Sequence, residues 1–132
     1  MLDARRKLLG TLLVFLISAC STLGELGKPR YTGHAEEDLR QAIKIYEDGD
    51  YGTAIVILQH ALQNGLRSKS DQARVYKYLA FIYCVSDSER QCRDSFKKAF
   101  EIDPSFSLQP AEAGHPVWGP VFRSVQSSRP TK

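Results

Sequence analysis

At 132 residues the chain has room for one domain. Its 42% apolar, 25% charged and 10% aromatic content is that of a globular protein and excludes a wholly disordered chain or a multi-span membrane protein. Most of the formal charge of +3 sits at the N-terminus: beyond residue 19 there remain 15 basic and 14 acidic residues, a near balance that gives no reason to expect nucleic acid as a partner.

The first segment reads as a leader. Arg5-Arg6-Lys7 forms a short positive region, and Leu8 to Ile17 is an apolar stretch interrupted only by Gly10 and Thr11. That stretch is too short to cross a hydrocarbon core of roughly 30 Å as a stable helix. It ends in Leu16-Ile17-Ser18-Ala19-Cys20, which resembles the lipobox of bacterial lipoproteins. Small side chains before the cleaved bond admit the peptidase, and only a thiolate can take the diacylglycerol thioether. The resemblance implies a signal peptide over 1–19, a covalent lipid on Cys20, and anchoring to a membrane through that lipid. Ser21 is not the Asp that commonly retains such proteins in the inner membrane, so the resemblance implies the periplasmic face of an outer membrane. Residues 20–33, with Gly24, Gly27, Pro29 and Gly33, read as a flexible tether.

From His34 to Asp103 there is no proline, and apolar residues recur at helical spacing. The sets are Leu39, Ala42, Ile43, Tyr46; Ala54, Ile57, Leu58, Ala61, Leu62; Tyr76, Leu79, Ala80, Tyr83; and Phe96, Ala99, Phe100. Polar breaks fall at Asp48-Gly49-Asp50, Asn64-Gly65 and Ser86-Asp87-Ser88. The pattern predicts an all-α fold of four helices in two hairpins.

The second hairpin resembles a tetratricopeptide repeat over 73–106. Tyr76, Leu79, Ala80, Tyr83, Cys92, Phe96, Ala99 and the closing Pro104 occupy its large, small, aromatic and terminating positions. Small residues let two helices approach, aromatics fill the hole beside them, and proline stops the second helix. The first hairpin fits over about 35–68 through Ala42, Ile45, Gly49-Asp50-Tyr51, Ala54, Leu58 and Ala61. Asp38 and Gln41 depart from that pattern, and Leu66 stands where the final proline is usual. A repeat region thus spans 34–106.

Two repeats alone bury too little, so a cap is needed. In the tail, 107–132, Pro110, Gly114, Pro116, Gly119 and Pro120 bar a long helix, yet Trp118, Val121, Phe122 and Val125 recur at helical spacing. The expectation is an extended run over Ser105–Pro116 and a short helix over about 117–126, folded back on the hairpins, with Pro120 in its first turn. His115 is expected to cap or brace that helix. Exposure of the same segment as a docking peptide is the alternative.

Cys84 and Cys92 flank the Ser86–Ser88 break, where an antiparallel hairpin could bring them together. A disulfide and two buried free thiols are both compatible with this spacing, and an oxidising periplasm favours the disulfide. Two cysteines without a nearby histidine are too few for a zinc site. His34, His60 and His115 are scattered with no nucleophile in a catalytic context, which points away from an enzyme and from a small-molecule substrate or cofactor other than the lipid.

What the resemblance implies is surface recognition of a protein. The concave face of such repeats maps onto Glu36, Leu39, Ile43, Tyr46, Arg74, Lys77, Phe81 and Cys84, giving Leu39, Ile43, Tyr46, Arg74, Lys77 and Phe81 as the candidate partner groove. The asparagines with which some of these domains clamp a terminal carboxylate are missing. The tail also resembles that of small lipoproteins accompanying envelope machines such as type VI secretion systems. The expectation is an outer-membrane-anchored scaffold or assembly factor of an envelope complex; the alternative is a pilotin-like carrier for an outer-membrane protein.

Overall fold

The computed structural model describes residues 34–130. Among them it is all-helical: α1 (Ala35–Glu47), α2 (Tyr51–Gln63), α3 (Lys69–Val85), α4 (Glu89–Ile102), α5 (Pro110–Ala113) and α6 (Trp118–Ser127). The leader, Cys20 and the tether lie outside the described residues. None of the described helices is long and apolar enough to cross a membrane.

The turns fall where the polar breaks predict them. Gly49, at φ +84, takes the left-handed conformation that lets α1 reverse into α2 within three residues. Asp50 then caps α2 by accepting from the Thr53 backbone N–H, and Ser68 caps α3 in the same way through the Asp71 N–H. The Ser86–Ser88 turn places Asp87 at φ 57, a conformation that Asp tolerates better than most side chains.

Helix α1 packs on α2 and α3 on α4, and α3 is the centre of the assembly, touching α1, α2, α4 and α6. Ala42, Ala54, Ala61, Ala80, Cys92 and Ala99 are all fully buried, so the small side chains stand where the helices approach each other. Two apolar clusters result. One joins α1, α2 and α3 around Leu39, Ile57, Leu58, Val75 and Ile82. The other joins α3, α4 and the tail around Phe81, Phe96, Phe100, Trp118, Phe122 and Val125. Half-buried Tyr46, Tyr78 and Tyr83 pack against both and weld them into one core.

The tail folds back on the hairpins and supplies much of the second cluster. Phe122 lies 5.3 Å from Phe96, 5.5 Å from Phe100 and 6.1 Å from Phe106 between ring centroids. The extended run expected over Ser105–Pro116 needs correction, because Pro110–Ala113 forms a helical turn. Pro110 sits at the first position, where its missing N–H costs nothing, and Glu112 closes a capping box by accepting from the Gln109 N–H. The last helix runs Trp118–Ser127, one residue along from the expected bounds.

Asp38, one of the two departures from the repeat pattern in α1, is fully buried. Its carboxylate lies 3.0 Å from His60 Nδ1 and accepts from Asn64 Nδ2 at 3.0 Å. A carboxylate buried without such partners would cost several kcal/mol, so these polar ties from the end of α2 are what make aspartate tolerable there.

Candidate functional site

Arg74, Lys77, Tyr78 and Phe81 follow one another at helical spacing on α3 and share a face. The α1–α2 turn brings Tyr46 and Tyr51 alongside. Tyr46 lies 5.6 Å from Tyr51, 5.1 Å edge-on from Tyr78 and 6.5 Å from Phe81. At this point an aromatic row crosses from the first hairpin to the second, with cations along one margin.

The tail occupies the far end of the row. Trp118 stacks on Phe81 at 4.1 Å, His115 stacks on Trp118 at 3.4 Å, and the indole Nε1–H donates to the Glu112 carbonyl at 2.8 Å. Lys77 Nζ is 2.7 Å from Glu112 Oε1 and 4.8 Å from the Tyr78 ring centroid, held by a charge pair and a ring face together. His115 braces the start of the last helix: its Nδ1 accepts from the Val117 N–H at 3.2 Å, and its carbonyl accepts from Gly119 at 2.9 Å.

Burial dominates the electrostatics of the tyrosines. It pushes the Tyr46 hydroxyl up to about 12, with nearby Tyr51, Tyr78, Glu112 and Glu47 adding to the shift. Burial also raises Tyr78, while adjacent Arg74 pulls it back down. Both therefore stay neutral at physiological pH and present O–H groups able to donate and accept. Between α3 and the 103–112 segment lies an open polar cleft of about 510 Å³, lined by Ser70, Arg74, Tyr78, Ser105, Gln109 and Glu112 among others.

The structure divides the groove residues expected from the sequence. Leu39, Ile43 and Phe81 are buried in the two clusters and offer no surface to a partner. Lys77 is largely covered by Glu112, with 12% of its side chain exposed. Tyr46 remains half-buried at the rim, and Arg74 is exposed. The surface left for contact is Tyr46, Tyr51, Tyr78 and Arg74 with the cleft beside them. Tyr51, Tyr78 and Glu112 were not among the groove residues expected from the sequence, where Tyr51 figures only in the repeat pattern. Tyr78 carries a signal in hindsight, four residues after Arg74 on the same helix face, whereas Glu112 carries only the local Gln109–Glu112 capping pattern.

A disulfide joins Cys84 to Cys92, with Cα atoms 5.1 Å apart. Cys84 lies one turn after Phe81 and Cys92 one turn before Phe96, so the bond pins α3 to α4 beside the seat that Trp118 and Phe122 fill. Among the described residues no group of three or more His, Cys, Asp or Glu side chains is placed to hold a metal ion. The chain matches no family model, no curated protein and no solved structure at a significant level.

Proposed function

We propose that the chain is a bacterial lipoprotein, held at the periplasmic face of the outer membrane through a lipid on Cys20, whose helical hairpins are tetratricopeptide-type repeats that recognise a protein partner in an envelope complex such as a secretion system. It works as a scaffold or assembly factor and not as an enzyme. The observation that carries the recognition role is the row Tyr46–Tyr51–Tyr78 with exposed Arg74 at its margin, a set rich in the residue types that anchor protein interfaces. Support for the repeat reading comes from Ala42, Ala54, Ala61, Ala80, Cys92 and Ala99, small residues of its pattern or its close helix contacts that have no exposed surface. Support for the anchor comes from the Leu16–Cys20 lipobox, with the domain beginning shortly after it.

The test is crosslinking in living cells followed by capture of the tagged chain, beside Cys20→Ala, Tyr46→Ala and Arg74→Glu. The expected result is one dominant set of envelope components, lost with Cys20→Ala and weakened by the two groove substitutions. Capture of abundant outer-membrane proteins only, unchanged by Arg74→Glu, would refute the scaffold reading and favour a transient carrier.

A further inference from the structure

The 13 residues of α2, Tyr51 to Gln63, contain no Asp, Glu, Lys or Arg. Every other long helix exposes charge: Arg40 and Lys44 on α1, Lys69 and Arg74 on α3, Lys97 and Glu101 on α4, Arg123 on α6. Apart from Tyr51 at its start, the outward positions of α2 are Gly52, Val56, Gln59 and Gln63, with Val56 47% exposed. Their spacing alternates four, three and four residues, the rhythm of a seam that packs against a second helix. Ile55 and Leu62 flank the seam on one side, half-buried, and beyond Leu62 a groove of about 320 Å³ continues over Tyr76, Leu79 and Tyr83, with Asp94 and Lys98 on its far wall. An uncharged helix face with a small residue at one end is unusual on a solvated surface and fits an interface core.

The charges at its two ends select the occupant. Exposed Glu47, Asp48 and Asp50 lie before the first turn of α2; after its last lie exposed Arg67 and Lys69, with one half-buried acid beside them, Glu36, which accepts from the Arg67 N–H. A second α2 running antiparallel sets each acidic end against a basic end and opposes the two helix dipoles favourably, whereas a parallel pair would set like on like. We infer that α2 is the contact face of a two-fold symmetric pair of copies of this chain, packed antiparallel along Gly52–Val56–Gln59–Gln63. A two-fold contact is self-complementary by construction, which an uncharged seam with opposite charges at its ends satisfies. A 13-residue helix is only about 20 Å long, so the contact is smaller than a standard interface of roughly 800 Å² per partner and is weak in dilute solution. The inference concerns a different face from the proposed partner site and does not rest on it.

The experiment uses the full chain in cells that express two differently tagged copies, with a photo-crosslinking amino acid at Gln59 or, as a control on a charged face, at Lys97. The expected result is a crosslink joining the two tags from position 59 and not from 97. Val56→Glu, at an exposed position that leaves the core intact, should lower its yield about tenfold by burying an unpaired charge. Asp48→Lys and Arg67→Glu should each reduce it, and the two together should restore it. A crosslink to a different protein only, no crosslink, or equal yield at Lys97 would overturn the self-association. Failure of the double charge reversal to restore the yield would overturn the antiparallel arrangement.

Discussion

Replacing Phe122 with alanine tests whether the tail is part of the core or an appendage laid on it. Phe122 is 4% exposed and meets Phe96, Phe100 and Phe106 within 6.1 Å of ring centroids. Truncating a buried phenylalanine costs about 3–5 kcal/mol, from lost burial and the cavity left behind. A domain of this size holds roughly 5–15 kcal/mol in all, so the substitution removes a large share of its stability. At about 4–8 °C per kcal/mol the expected fall in Tm is roughly 12–40 °C. The assay pairs thermal unfolding by far-UV circular dichroism with emission from Trp118, the sole tryptophan and itself within the tail. Both probes should shift together, because the rings that hold α6 also fill the space over α4. Val117→Ala, at an exposed position on the same segment, should change stability by less than about 0.5 kcal/mol. The reasoning fails if Phe122→Ala loses less than about 1 kcal/mol, or if Trp118 becomes solvated while the helices melt at the original temperature.

Reduction of the Cys84–Cys92 bond, whose ends are 8 residues apart, should destabilise by about 2–3 kcal/mol on the chain-entropy model; denaturant unfolding with and without reductant, after thiol titration, reads it directly. Alkaline titration should separate the tyrosines. With the folded pKa of Tyr46 near 12 against an ordinary 10, its contribution is intact below pH 10 and lost as pH rises toward 12, so stability should fall across that window and ultraviolet difference absorbance should show Tyr46 ionising late. If Tyr46→Phe leaves the slope of stability against pH unchanged there, burial of that hydroxyl is not its cause. Gly119→Ala should destabilise by about 1–3 kcal/mol, because a Cβ there would meet the Ala113 carbonyl oxygen at 2.6 Å and force α5 from α6. Gly114→Ala, whose Cβ would sit at an ordinary 3.7 Å from the Pro110 carbonyl, should be tolerated, and urea unfolding of the two variants distinguishes these outcomes.

The residues that were legible in sequence are those whose role is set by near neighbours in the chain. The spacing of Leu39, Ala42, Ile43 and Tyr46 marks one helix face, and Asp48-Gly49-Asp50 supplies a left-handed glycine and a cap within three positions. Helical periodicity and turn chemistry act over a few residues, so local reading reaches them. The short helix at Pro110 was missed because four residues give no period, and its capping box carries the only local signal.

Which of the expected groove residues stay exposed was decided by contacts distant in sequence. Phe81 reads as a groove residue until Trp118 stacks on it, and Lys77 reads as a free cation until Glu112, 35 residues away, pairs with it. Asp38 reads only as a departure from the repeat pattern until His60 and Asn64 meet it in the interior. By itself the sequence determined the all-helical class, the turns, the position of two cysteines flanking one turn, and the apolar stripe of the tail. The tertiary structure decided that the tail fills the end of the α3 face and that a row of tyrosines is left open beside it. The physical reason is that periodicity states which side of a helix is apolar, whereas only the packed chain states which apolar side meets another and which stays in contact with water.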